Sequence, residues 1–137
     1  MDLNRARAER AIGDAERELR NGLRSLEERD HTGALKYLQE CSEYAAKAVL
    51  IAYGIDYPKV YGVGRHLKEY RARFPGWFET KADSIGEFVD ALARNRPMFR
   101  YHYEYPKGEH KALAEEMRSR VNEIFKDCKR LTDELFP

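Results

Sequence analysis

Apolar residues recur along most of this chain at steps of three and four, the spacing of one face of an α-helix. The pattern predicts four long helices, over residues 2–28, 33–53, 77–104 and 109–136, and a short helix over 66–74. No run of alternating β-branched residues competes with it. The predicted fold class is therefore all-α, an up-and-down helical bundle of four long helices plus one short helix.

The second predicted helix differs from the others because its latter half, AAKAVLIAY, is apolar nearly all round. A helix with this pattern is buried on several sides, so we expect it at the centre of the bundle. Thr32 is the predicted cap at its start, and Gly54 is the predicted stop at its end. The apolar half also suggests that a second copy of the chain covers part of this helix.

The apolar row of the fourth predicted helix contains an arginine. At alternating steps of four and three residues, the row consists of Phe78, Ala82, Ile85, Val89, Leu92, Arg96 and Phe99. A buried guanidinium without a partner is strongly unfavourable, so Arg96 should pair with an acid, open onto a cleft or face a partner chain. Pro97 removes a helix hydrogen bond and predicts a kink near Ala93. On a straight helix His102 lies about 240° around from Arg96, so the two converge only through a bend or in a second copy.

Length and charge narrow the classes of protein. The 137 residues fit one domain, 1–137. The net charge of +1 with 36% charged residues predicts a solvated surface of mixed sign, so any nucleic-acid contact is a local patch. Cys41 and Cys128 lie in apolar rows, far from a CxxC spacing, and are predicted to be reduced thiols in the core. The charged N-terminus, MDLNRARAER, predicts neither a signal peptide nor a membrane helix, so the expected location is cytoplasmic.

Motifs for metal, cofactor or dinucleotide binding are not found in the sequence. The four histidines, His31, His66, His102 and His110, lie on separate segments without an HxxxH or HExxH pair, so no metal site and no cofactor are predicted. The GVGR run lies in a predicted loop over 55–65 and lacks the third glycine of a dinucleotide fingerprint. The serines lack the context of a nucleophile elbow.

Three segments together resemble the HEPN family, the higher eukaryote and prokaryote nucleotide-binding domains. In QECSEYAAKAVLIAYG, Glu43 precedes the Lys47-Ala48 pair by four residues, and Gly54 follows the aliphatic run. His66-Leu67 resembles the histidine that opens the short helix of the family. Arg96 and His102, with five residues between them, match the family motif of an arginine and a histidine separated by four to six residues.

The resemblance implies a dimeric protein of HEPN-like fold that binds RNA or nucleotides. Many members are described as metal-independent ribonucleases, often toxins paired with a small nucleotidyltransferase, and their two motifs meet at the dimer interface. It thereby implies Arg96 and His102 as catalytic residues. Imidazole, with an unperturbed pKa of about 6.5, can take a proton from a ribose 2′-hydroxyl, and a guanidinium matches two phosphate oxygens.

Asn95, Arg100 and Tyr103 are the candidate nucleic-acid contacts beside this pair, because bases stack on tyrosine rings and arginine binds phosphate. Such tyrosines also form interfaces or cap bundle ends, and that alternative stays open. In a second alternative Arg96 forms a structural ion pair with Asp90 or Glu104, and the chain is a catalytically inactive module that dimerises or docks on a nucleotidyltransferase. Other HEPN members keep the fold without nuclease activity, and Pro97 stands where the family motif usually has a polar residue.

Overall fold

A computed structural model describes residues 3–57, 62–94 and 107–137, with the side chains of 107–109 excepted. The α-helices within these ranges are α1 (Leu3–Glu27), α2 (His31–Ala52), α3 (Val63–Glu69), α4 (Gly76–Arg94) and α5 (Lys107–Leu135). A 3₁₀ turn, Arg71–Arg73, follows α3. Every regular element in the described ranges is helical, which confirms the predicted all-α class with four long helices and a short one.

The long helices alternate in direction, as in an up-and-down bundle. Helices α1 and α2 form an antiparallel hairpin, closed by a hydrogen bond from the Asp30 amide to the Ser25 carbonyl at 2.8 Å. Helix α4 runs antiparallel to α5, because Trp77 Nε1 near its start donates to Glu134 Oε2 near the end of α5 at 3.1 Å. We call the end of the bundle where α1 and α4 end, and where α2 and α5 begin, the upper end.

Helix α2 occupies the centre of the bundle, as predicted. Over its whole length only Lys36 and Glu40 are exposed, and Ala45, Ala46 and Val49 have no accessible surface. Its cover comes from α1, α3, α4 and α5 of the same chain. A second copy is therefore not needed to bury the apolar half of α2, and that reason for expecting a dimer is lost.

Helix α2 ends where the sequence predicts, but it starts earlier than predicted. The predicted cap, Thr32, is wrong, because Asp30 Oδ1 accepts the Gly33 amide at 3.0 Å and the helix begins at His31. Aspartate is a better cap than threonine, and Asp30 lies two residues earlier. At the other end Gly54 adopts a left-handed φ of 67°, and the Ile55 amide donates to the Leu50 carbonyl at 2.9 Å. This confirms the predicted stop at Gly54.

The short helix begins earlier than predicted. Helix α3 covers Val63–Glu69, so His66 lies in its middle rather than at its start. Gly62 has a φ of 80°, a left-handed conformation that glycine adopts without strain, and this turn sets the start of the helix. The predicted 66–74 helix is thus divided between α3 and the 3₁₀ turn.

The apolar rows of the long helices form one cluster of buried residues. In α4 the row is buried from Phe78 to Leu92, and its predicted continuation through Arg96 and Phe99, like Pro97, lies outside the described residues. In α5 the row is buried from Val121 to Leu131. Leu135, four residues further along the same row, is 38% exposed and lies outside the core. Helix α5 begins at Lys107, two residues before the predicted start at residue 109.

Both cysteines are buried free thiols at the contact between α2 and α5, as predicted for core positions. Burial raises the pKa of Cys41 from its ordinary 9.0 to about 12, and it raises the pKa of Cys128 as well. Both thiols are therefore protonated at neutral pH. In the described ranges, no helix combines the length and apolar character that crossing a membrane requires.

Candidate functional site

The predicted site residues, Asn95, Arg96, Arg100, His102 and Tyr103, lie outside the described residues, and their roles stay predictions. The described residues on either side of this segment are Arg94, the last residue of α4, and Lys107, the first of α5. Both belong to the upper end of the bundle. The structure therefore shows the surroundings of the candidate site, namely the side chains at the upper end and those along the helices that lead to it.

At the upper end, a buried histidine joins the start of α5 to the start of α2. His110 is 1% exposed, and its Nδ1 lies 2.6 Å from Thr32 Oγ1. Sequence reasoning placed Thr32 as a cap and His110 on a scattered segment, and so missed the pair. The available signal was Asp30, because a better cap two residues earlier leaves the Thr32 hydroxyl inside the first helical turn, where it can bond elsewhere.

Helix α3 is held against the second half of α4 by two glycines and an aspartate. A Cβ on Gly64 would collide with the carbonyl oxygen of Gly86, and a Cβ on Gly86 would collide with that of Gly64. The Gly64 amide donates to Asp90 Oδ1 at 2.9 Å. One oxygen of Asp90 is thus committed to α3. In the GVGR run, Gly64 serves the helix contact, and Gly62 forms the turn before α3.

A polar row runs along the accessible side of α2. Gln39 Nε2 donates to Glu43 Oε2 at 3.0 Å, and Glu43 Oε1 lies 3.8 Å from Lys47 Nζ. The side chains of Glu43 and Lys47 are 21% and 25% exposed, so the pair is partly shielded from water. Lys47 Nζ also lies 5.7 Å from the centre of the Tyr44 ring. These two residues form the i,i+4 pair that their spacing predicted.

Tyr57 lies beside this row. Burial raises the pKa of its hydroxyl, the positive charge of Arg7 lowers it, and the negative charge of Glu43 raises it again. Arg7 of α1 and Glu43 of α2 therefore both act on the same phenol. Together these side chains make a partly buried polar patch on the side of the bundle.

His66 is held inside α3 and is poorly placed for chemistry on a dissolved substrate. Its side chain is 12% exposed, its ring stacks on Tyr70 with centroids 6.4 Å apart, and its Nδ1 lies 3.2 Å from Glu69 Oε2. This last contact is close in distance but is not directed as a hydrogen bond. Among the described residues, three or more histidine, cysteine or acidic side chains do not converge as a metal site.

The family model of the HEPN domain matches residues 8–131 of this chain, which is nearly all of it. The chain belongs to the HEPN family. No significant match was found among curated proteins or among solved structures. The HEPN match begins in the first third of α1 and ends in the last two turns of α5, so it includes every described helix.

Membership of the HEPN family supports a role in nucleotide or RNA binding. Two of the three segments that carried the resemblance are described: Glu43 and Lys47 form a partly shielded pair, and His66 is packed in α3. His110 is buried too. Since a base that acts on RNA must reach its ribose, neither His66 nor His110 suits proton transfer to a substrate.

Proposed function

We propose that this HEPN protein is a dimeric, metal-independent ribonuclease in which Arg96 and His102 are the reacting pair. The observation that carries the proposal is the Arg96–His102 spacing, five intervening residues, in a chain whose family membership is shown. The burial of His66 and His110 supports it, because it leaves few other histidines to move the proton.

The proposed reaction is transfer of a phosphodiester to its own ribose. His102, neutral, accepts the proton of the 2′-hydroxyl as its oxygen bonds to the adjacent phosphorus, and Arg96 stabilises the negative charge that develops on the phosphorane oxygens. The bond from phosphorus to the 5′ oxygen then breaks, and an imidazolium returns a proton to that leaving oxygen. The products are a 2′,3′-cyclic phosphate and a 5′-hydroxyl, and water is not consumed.

A dimer supplies the second imidazole that one Arg96–His102 motif lacks. One imidazole serves as the base and a second as the acid, and on a straight helix Arg96 and His102 of one chain face different directions. Two motifs brought together at an interface give both an acid and a base within one site. Asn95, Arg100 and Tyr103 are the proposed contacts to the flanking phosphates and bases.

The test is cleavage of a labelled single-stranded RNA in EDTA by wild-type protein and by Arg96→Ala, His102→Ala and the double variant. Each single change should reduce the rate severely, and the double change should add little, as for groups that act as one unit. Arg94→Ala is the matched control, because Arg94 is exposed, lies two residues away and leaves seven residues before His102. It should retain the wild-type rate. Full cleavage by a folded Arg96→Ala or His102→Ala protein would refute the assignment.

The second candidate is an inactive HEPN module that docks on a nucleotidyltransferase, the antitoxin in such pairs. Pro97 favours it, because a proline follows Arg96 where the family motif usually has a polar residue. This candidate predicts that wild-type protein leaves RNA intact in EDTA and forms a stable complex with a nucleotidyltransferase encoded beside it. Cleavage that depends on Arg96 and His102 would exclude it.

A further inference from the structure

One strip of the solvent side of α1 carries four arginines and no acid, and the exposed glutamates of the helix, Glu9, Glu16 and Glu27, lie along one edge of this strip. At 100° per residue, six exposed positions fall within about 80° of the helix surface. We call this set the arginine face: Ala6, Arg10, Gly13, Arg17, Arg20 and Arg24. Every basic residue of α1 is an arginine rather than a lysine. This face is therefore a continuous strip of guanidinium groups on a chain whose net charge is only +1.

The arginine face points away from the bundle. The buried residues of α1, among them Ala8, Ala15 and Gly22, are centred about 180° around the helix from it. Helix α1 packs on that buried side, chiefly against α2 and also against α5. The face is thus open to an external partner along its length, about 21 Å from Arg10 to Arg24 at 1.5 Å per residue.

Most of these charges are not neutralised within the protein. Arg17 pairs with Asp14 at 3.1 Å and Glu18 at 3.0 Å. The ion pairs of α1 within the described ranges are Arg5–Glu9, Arg17–Asp14 and Arg17–Glu18, and Arg10, Arg20 and Arg24 take part in none of them. Arg20 lies three residues from Arg17 and four from Arg24, spacings at which like charges repel, and four residues after Glu16, a spacing at which opposite charges attract.

The exposed side of α5 shows the ordinary arrangement, in which both signs alternate. Within an arc of the same width, about 80°, its exposed residues include Lys111, Glu115, Lys126 and Asp133. The difference means that solvation alone does not account for the arginine face, because a helix needs mixed charges, rather than charges of one sign, to be stable and soluble.

Gly13 lies in the middle of the arginine face and has no structural reason to be glycine. A Cβ built there meets nothing within 4 Å, and the position is exposed. Glycine inside a helix is destabilising relative to alanine. A residue without a side chain at this place lets an external molecule approach the helix backbone between Arg10 and Arg17.

We propose that the arginine face binds the phosphate backbone of single-stranded RNA, with Arg10, Arg20 and Arg24 contacting phosphates and Gly13 allowing the strand to lie close. The proposal rests on the proposed action on RNA and extends it to a second surface. Guanidinium groups bind phosphate oxygens in pairs, which lysine cannot do. The face lacks the aromatic and aliphatic anchors that form the core of a protein interface, so an acidic protein fits it less well.

The direction of the strip connects it to the proposed site. Arg24 lies in the last turn of α1, at the upper end where α4 also ends. A strand bound along α1 therefore leads toward that end of the bundle. The face would hold RNA in register while cleavage takes place elsewhere, as phosphate contacts position a nucleic acid without reading its sequence.

The experiment measures binding of a fluorescent 2′-O-methyl oligouridylate in EDTA by anisotropy, over a range of salt concentrations. This probe keeps the phosphates and cannot undergo attack by a 2′-hydroxyl. The test variant is Arg10→Gln, Arg20→Gln, Arg24→Gln. The matched control, Lys111→Gln, Arg118→Gln, Lys126→Gln, removes the same charge from exposed positions of α5. The test variant should bind about tenfold more weakly or worse, with a salt slope reduced by about 2 for three lost contacts. The control should stay within about twofold of wild type.

The outcomes separate this proposal from the proposed function. Equal losses in the two triple variants, or no loss in the test variant, would overturn the arginine face while RNA binding itself stands. Failure of the wild-type protein to bind the probe at all would overturn both. Competition by poly-glutamate as strong as competition by unlabelled RNA would overturn the assignment to phosphate and point to an acidic protein.

A second variant tests the role of Gly13 without removing a charge. Gly13→Leu adds a side chain at an open, exposed helical position, so the melting temperature should stay the same or rise. The affinity for the same probe should nevertheless fall several-fold, because the strand can no longer approach the helix. Unchanged affinity in a protein that melts no lower than wild type would remove Gly13 from the proposal.

Discussion

Thr32 and His110 are 78 residues apart in the sequence, yet their side chains meet at 2.6 Å. No periodicity of either helix could have indicated this contact, because it depends on how α2 and α5 are placed relative to each other. The same holds for Asp90 and the Gly64 amide, 26 residues apart. Individual polar contacts between helices are decided by tertiary packing, whereas the sequence near a residue decides mainly whether it is buried.

The Thr32–His110 contact should contribute to stability. Thr32→Val keeps the shape and removes the hydroxyl, which leaves a ring nitrogen of a buried histidine without this partner. We expect the free energy of unfolding to fall by about 1–3 kcal/mol, measured by urea denaturation. Thr80→Val is the control, because Thr80 is exposed and its hydroxyl bonds only the Trp77 carbonyl in its own helix. Equal effects of the two changes would show that the contact adds no stability.

The buried thiols should make the fold sensitive to alkali. A pKa of Cys41 raised from 9.0 to about 12 means that the folded protein holds a proton that the unfolded chain loses above pH 9. The stabilisation is complete below pH 9 and is lost as the pH rises toward 12, by up to about 1.4 kcal/mol per pH unit. Denaturation at several pH values should show a steeper alkaline loss for wild type than for Cys41→Ala. Parallel curves would contradict the raised pKa.

At the scale of elements, the existence of the helices, their core rows and the stop of α2 at Gly54 were predictable, while the helix starts and the contacts between helices were not. The row from Phe78 to Leu92 is buried as its spacing predicted, because one face of a helix must pack against its neighbours. The start of α3 was predicted wrongly because it depends on the left-handed backbone of Gly62. The pattern of apolar residues does not contain that information. The Arg96–His102 motif was recognisable as a spacing, but its neighbours could not be predicted, since they come from other helices.

The contact of α3 with α4 gives a prediction that separates two kinds of glycine. Gly64→Ala places a methyl group against the backbone of Gly86, which cannot move aside as a flexible side chain could. We expect a loss of about 1–3 kcal/mol, as for overpacked cores. Gly13→Ala, in open space on α1, should instead raise stability by roughly 0.5–1 kcal/mol. Thermal melts of both variants decide the point, and a Gly64→Ala protein as stable as wild type would contradict the close packing.

For the whole molecule, the distribution of burial changes the reason to expect a dimer. The apolar half of α2 was one reason, but α1, α3, α4 and α5 of the same chain already cover it. The reason that remains to expect a dimer is chemical. One Arg96–His102 motif supplies one imidazole, and the proposed reaction uses two. Dimerisation is therefore expected to matter for activity more than for folding.

This expectation has a measurable consequence in how activity depends on concentration. If the ribonuclease site needs two chains, the specific activity in EDTA should fall on dilution, in step with light scattering that shifts from twice the chain mass toward 16.1 kDa. The helical signal should not change over the same range, because one chain buries its own core. The inactive His102→Ala protein should dimerise with the same concentration dependence, which separates assembly from chemistry. Constant specific activity in a protein that scatters as a monomer would mean that a single motif suffices, and the two-chain mechanism would have to be abandoned.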